Sequence, residues 1–194
     1  MKIINLAIIV FIFLGCVSVF PADSTDTEQE ETAGCLSHGD GRITIIYPQD
    51  INLKKLEARL RSRYFSVSAA EKDLFTNAKY SIEDRILARL EAILLRVEQM
   101  LAMYPDHMEI KLRIFRTRQE LSEEYSRQFG VSENYKSFYI HPLGTIYSSM
   151  QDITDSVISH EMAHAVIDNY FRVMPPDKTA ELLATYVDSH LERE

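Results

Sequence analysis

The stretch Ser159-His160-Glu161-Met162-Ala163-His164-Ala165-Val166-Ile167-Asp168 contains the spacing His-Glu-x-x-His. At about 100° per residue, a helix places His160 and His164 about 40° apart, one turn above the other. Two imidazoles so placed can meet one metal ion from the same side. Glu161 stands about 60° from His164, so its carboxylate overhangs the same spot and can reach a metal-bound water. A zinc ion with three protein ligands keeps a fourth position for water and lowers that water's pKa toward about 7. Glu161 is then the expected general base. The plain alternative is two histidines on the half-exposed face of an amphipathic helix.

Downstream, Met174-Pro175-Pro176-Asp177-Lys178-Thr179-Ala180-Glu181-Leu182-Leu183-Ala184 supplies a second helix signal. The Pro-Pro pair is expected to stop the first helix and Asp177 to cap the next. Glu181 falls one turn into that second helix. A helix–turn–helix of this length can fold back on itself and bring Glu181 to the metal as third ligand. Two His and one Glu form the ligand set of a catalytic hydrolytic zinc site.

With these residues in view, the chain resembles a gluzincin, the zinc metallopeptidase group that pairs a helical His-Glu-x-x-His with a glutamate from a following "glutamate helix". His-Glu-Met-Ala-His-Ala-Val-Ile-Asp-Asn-Tyr is similar to the corresponding stretch of thermolysin-like enzymes, and Glu-Leu-Leu-Ala resembles the Glu-x-x-Ala of other gluzincin families. The resemblance covers roughly residues 137–192. It implies an α+β, zincin-like fold: a small mixed or antiparallel sheet with a backing helix, an active-site helix and the glutamate helix. It also implies Zn2+ on His160, His164 and Glu181. Many gluzincins carry an acidic residue four positions after the ligand glutamate, where it supports a zinc-bound histidine. Thr185 stands there in this chain. Thr185, Asp188 or Asp168 could take that role.

The elements that must position this site can be read from periodicity. Ile43 to Tyr47 reads as a strand that Pro48 ends. Asp50 is expected to cap a helix with Leu53, Leu56 and Leu60 on its apolar side, and Lys54, Lys55, Arg59, Arg61 and Arg63 on a solvated one. Arg63 to Val67 reads as a second short strand. Ser81-Ile82-Glu83-Asp84 resembles a capping box opening a long helix with Ile86, Leu90, Ile93, Leu94, Val97 and Leu101 on one face. That helix, closed by Pro105, is the candidate backing helix. Met108 to Ile114 alternates strictly, as a half-buried strand does. Thr117 and Glu120 then cap a helix ended by Gly130. Phe138-Tyr139-Ile140 and Thr145-Ile146-Tyr147 flank a turn containing Pro142 and Gly144, and Asp152 is expected to cap the metal helix. A peptidase must hold an extended peptide across its metal, and adding it to a sheet edge does so through backbone hydrogen bonds. One strand of the 138–149 hairpin is the expected substrate-facing edge. The transition-state oxyanion also wants a donor besides zinc. Tyr147, Tyr139, His141, Tyr186 and His190 are the candidates.

The chain's 194 residues, 46% of them hydrophobic, suffice for one core. A net charge of −8 and the lack of a basic, aromatic-laced stripe argue against nucleic acid as a partner. Residues 1–20 read as a signal peptide, a lipoprotein leader or an uncleaved anchor, with a single Lys2 before an apolar run. Phe13-Leu14-Gly15-Cys16 resembles a lipobox in which Cys16 would carry the lipid. Each of the three readings places the domain outside the cytoplasm, in a bacterial cell envelope or secreted, with membrane contact through the lipid or anchor. Residues 21–41 read as a disordered acidic linker, and residues 42–194 as the metallopeptidase domain. Cys35 is left without an intramolecular partner if Cys16 is lipidated or removed.

The expected activity is zinc-dependent hydrolysis of a peptide bond in a protein or peptide substrate. Little chain follows the glutamate helix, so a partner protein completing the site is a further expectation. The alternative is a catalytically silent, zincin-like binding or assembly module acting with a partner protein. A non-peptidase zinc hydrolase would share the same site chemistry.

Overall fold

Strands of alternating pattern and helices with one apolar face assemble here into an α+β fold. The computed structural model describes residues 33–37, 41–60 and 79–191. Their elements, in order, are β1 (Ala33–Ser37), β2 (Ile43–Pro48), α1 (Leu53–Arg59), α2 (Ile82–Leu101), β3 (Ile110–Phe115) and α3 (Arg118–Phe129). These are followed by β4 (Ser137–Ile140), a 3-10 turn (His141–Leu143), β5 (Thr145–Ser149), α4 (Asp155–Tyr170) and α5 (Asp177–His190). The five strands form one mixed sheet in the order β1-β2-β3-β5-β4. The central pairs β2/β3 and β3/β5 are parallel, and β1 and β4 are antiparallel edges.

Period-two alternation decides which side chains meet the helices. Ile43 and Ile45 pair with Ile110 and Leu112, and Leu112 pairs with Ile146. These residues are buried on one face of the sheet with Ile86, Leu90, Ile93, Leu94 and Val97 of α2 and with the apolar side of α4. The other face carries a smaller cluster, in which Leu121 of α3 packs on Phe138 and Tyr147. The capping box of α2 is formed: Ser81 and Asp84 each accept from the other's backbone N–H. Thr117 caps α3, and Gly130 ends it in the left-handed region at φ 72°, where a side chain would be strained.

Several expectations shift by a few residues. Residues 33–37, placed by sequence in the acidic linker, form β1, with Leu36 paired to Ile45 and packed against the core. The run Ala-Gly-Cys-Leu-Ser is uncharged, and one Leu facing the core is enough to seat it. Gly34 fits because Tyr47 lies over it: an added Cβ would stand 2.6 Å from the Tyr47 ring. Asn52, and not Asp50, caps α1, because the cap must directly precede Leu53; Asp50 pairs with Arg116 instead. Thr154, and not Asp152, caps α4. The Pro175-Pro176 pair follows a loop, since α4 already ends at Tyr170, and Asp177 occupies the first turn of α5 without capping it. The expected strand at 63–67, the basic positions Arg61 and Arg63, the leader and Cys16 lie outside the described residues. No described helix is long and apolar enough to cross a membrane.

Three arginines from three helices converge on the segment that launches α4. The Arg59 guanidinium donates to the carbonyl of Gln151 at 3.0 Å, and Arg118 Nε donates to Asp152 at 2.8 Å. Arg89 Nη2 donates to Asp155 at 2.8 Å, its Nε to the Leu60 carbonyl at 2.7 Å, and both Arg89 and Asp155 are buried. Asp155 also sits in the first turn of α4, where the helix dipole favours a negative charge.

Breaking a buried ion pair strands the remaining charge, so Asp155→Ala should cost about 3–5 kcal/mol in urea unfolding. The double variant Arg89→Met/Asp155→Leu should recover most of that loss. Asp152 supplies a pH signature. Its hydrogen bond from Arg118, aided by Ser149, holds the carboxyl below the ordinary carboxylate range. A depressed folded pKa gives stability that is complete above the unfolded value of about 3.9 and is lost as pH falls through the folded value. Asp152→Asn should therefore cost about 1–2 kcal/mol at pH 7, discounted for the exposed Arg118 side. The gap between variant and wild type should close in unfolding titrations carried down to strongly acidic pH.

Candidate metal centre

Helix α4 is buried almost all round from Ile158 to Asp168 because it is wedged between α2, α5 and β4. Its polar side chains therefore need partners from outside the helix. Helix α5 packs on it through Ala180, Ala184 and Val187, all buried. Two alanines at the contact let the helix backbones approach closely, which brings a short glutamate side chain within reach of α4.

That approach puts Glu181 against the two histidines. His164 Nε2 lies 3.3 Å from His160 Nε2, Glu181 Oε1 lies 3.4 Å from His164 Nε2, and Glu181 Oε2 lies 3.7 Å from His160 Nε2. Tetrahedral ligation at about 2.0–2.1 Å spaces donor atoms about 3.3–3.4 Å apart, a spacing that two edges of this triangle match and the third, at 3.7 Å, exceeds. Among the described residues, His160, His164 and Glu181 are the group of three whose donor atoms lie close enough to hold a metal.

The electrostatics of the cluster are set by desolvation. Burial pushes the His164 imidazole down to about 3 and lowers His160, leaving neutral rings whose lone pairs are available to a cation. The charge on Asp188 works against the shift at His160. Glu161 is only 4% exposed, and burial, reinforced by Glu181, raises its carboxyl to about 8. Its Oε2 is buried with no hydrogen-bond partner among the described residues. A metal ligated beside it would reverse this logic by favouring the ionised carboxylate.

The transition-state donor candidates separate cleanly. Tyr147 stacks on Phe138 at 4.9 Å in the α3-side cluster, on the opposite sheet face from α4. On α5, Glu181 and Asp188 stand about 80–100° to one side of the buried alanine stripe, and Tyr186 and His190 stand on the other flank. Tyr186 and His190 stack on each other at 4.5 Å there, and the His190 Nδ1–H donates to the Tyr186 carbonyl. Tyr147, Tyr186 and His190 are thus held away from the histidine pair. Tyr139 and His141 do reach α4, through Asp168. The Tyr139 hydroxyl donates to Asp168 Oδ2 at 3.0 Å, and the His141 Nδ1–H donates to the same oxygen. Burial and the Asp168 charge push the Tyr139 phenol far up, so it keeps its proton and acts as a donor.

Of the supporting candidates, none bonds a ring nitrogen of His160 or His164. Asp168 turns to β4, Thr185 is exposed, and Asp188 accepts from the Ser156 hydroxyl. Asp188 thereby ties α5 to α4 through Ser156. The Ser156 contact and the convergence of Tyr139 and His141 on Asp168 carry no local sequence signal. Cys35 lies exposed on β1, at the sheet edge opposite β4. A cavity of about 340 Å³ lies on the α3 side of the sheet, between Ala33, Ile46, Arg113, Phe115 and Arg127, away from the histidines.

Compared with protein-family models and with curated proteins, the chain matches no family model and no curated sequence.

If the triangle holds a metal, removing a ligand must cost more than the roughly 10–100-fold of an outer-shell change. Zinc affinity, measured by competition with a chelating dye, should fall by well over about 100-fold in His164→Ala and Glu181→Ala. Tyr186→Phe should leave it unchanged.

Proposed function

We propose that this chain is a small zinc metallopeptidase of the gluzincin kind, acting outside the cytoplasm on a protein or peptide. The observation that carries this reading is the His160–His164–Glu181 triangle with the buried, unpartnered oxygen of Glu161 beside it. Zinc bound there would supply a Lewis acid and an acidified water at neutral pH. His160 and His164 offer neutral nitrogen donors from one helix face, and Glu181 offers a carboxylate from the second helix. Glu161, as general base, takes a proton from the attacking water and later returns it to the leaving amine. Strand β4, which among the described residues pairs with β5 alone, offers an edge along which an extended peptide can align. Helix α2, packed across the sheet behind α4, is then the backing helix, and α5 the glutamate helix. The leader at residues 1–20, with lipidated Cys16 or a cleaved signal, would deliver the domain to the cell envelope.

One observation favours the alternative of a catalytically silent binding or assembly module. Glu161 and His164 are each only 4% exposed, so the base is closed off from bulk solvent. A partner protein could complete or open the site.

Glu161→Gln separates the two. The peptidase reading expects one zinc per chain to remain by metal analysis while peptide turnover falls by about 10²–10⁴-fold. A wild type that binds zinc yet matches this variant in every peptide assay would leave the binding module standing. A wild type that takes up no zinc sinks both zinc readings.

A further inference from the structure

Asp168 falls two turns after His160 and one turn after His164, and by helical geometry it shares a stripe of α4 with Glu161. Its side chain is buried although it is a carboxylate at the end of the metal helix. Oδ2 takes two hydrogen bonds, one from Tyr139 in edge strand β4 and one from His141 in the turn that follows. Oδ1 is buried with no partner among the described residues. A buried carboxylate is costly unless its bonds return the loss. Here those bonds span 27 and 29 residues of sequence and join two elements that chemistry would need to hold in register. β4 is short and, among the described residues, pairs on one side alone, with β5. Its other edge is the one that would receive a peptide.

We infer that Asp168 is a positioning residue that clamps edge strand β4 and its turn to the metal helix, fixing the peptide-binding edge relative to the histidine pair. The inference rests on the peptidase reading for its consequence in substrate binding, and on geometry alone for the clamp itself. Tyr139 O–H and His141 N–H are its two arms. His141 keeps about half of its side chain exposed, so this arm lies at the rim, while Tyr139 is the buried arm. Asp168 acts through these residues and touches neither the metal ligands nor the reacting bond.

The test uses the full chain loaded with zinc, as Asp168→Asn, His141→Ala, Tyr139→Phe and the Asp168→Asn/His141→Ala double variant. Hydrogen exchange should be about tenfold faster at the amides of residues 137–143 in Asp168→Asn, with α5 and zinc stoichiometry unchanged. Steady-state kinetics on a cleaved peptide should show KM raised about tenfold with kcat within about twofold, the split that marks loss of uniform binding. The double variant should be no worse than Asp168→Asn, because the arm that His141→Ala removes is already weakened when Asp168 loses its charge. Wild-type protection at 137–143 in Asp168→Asn overturns the clamp, as does an unchanged KM in an enzyme that is otherwise active. If the wild type binds zinc and cleaves no peptide, the peptidase reading falls and exchange alone decides: faster exchange confined to 137–143 upholds the clamp. Exchange raised evenly across the chain marks general destabilisation and overturns it.

Discussion

Two carboxylates, Glu161 and Asp168, lie on one buried stripe of a single helix, and the rest of the structure is arranged around the cost of keeping them there. Removing a carboxylate from water costs several kcal/mol even after the protein relaxes. The two are handled differently. Asp168 is met by a phenol and an imidazole that cross from β4 and its turn. Each carboxylate keeps one buried oxygen without a partner among the described residues, and at Glu161 burial drives the carboxyl up to about 8.

That arrangement needs α4 to be fixed at both ends and along its side. At its start, Arg59, Arg118 and Arg89 reach from α1, α3 and α2 to Gln151, Asp152 and Asp155, so every other described helix except α5 holds the segment entering α4. Along its side, Ala180 and Ala184 set the closeness of α5, and Ser156 with Asp188 ties the pair a turn before His160. The far end is held by Asp168. The spacing of His160, His164 and Glu181 follows from these contacts, since ligand atoms 3.3–3.7 Å apart tolerate little slip between the two helices.

Much of the fold was legible because its signals are local. The capping box at Ser81, the alternation from Met108 to Ile114, the Thr117 cap and the Gly130 stop each depend on residues within a turn or two of one another, and each forms where the sequence places it. The meeting of Glu181 with the histidines was legible for the same reason, because one connection of six residues separates the two helices. What failed is also physical. Asp50 and Asp152 have the chemistry of caps, but Asn52 and Thr154 stand closer to the first helical residue, and distant arginines take the two carboxylates. β1 was hidden because its five residues carry no alternating pattern; its seat comes from pairing with β2 and from Gly34 fitting under Tyr47.

The same distinction divides the site itself. Metal-type ligands and the candidate base arise within one helix–turn–helix and can be recognised from spacing. The contacts of Asp168 are assembled across the sheet, where Tyr139 and His141 become its neighbours through the pairing of β4 with β5 and of β5 with β3. Of five aromatic or histidine candidates, periodicity alone could not separate Tyr139 from Tyr147, two strand residues with the same chemistry. They lie on opposite sides of the sheet because Tyr147 pairs with Phe138 and Tyr139 pairs with Ile146, and the pleat sends alternate residues to opposite faces. The His/His/Glu cluster is a local property of α4 and α5, whereas the meeting of Tyr139 and His141 with Asp168 depends on the register of β4.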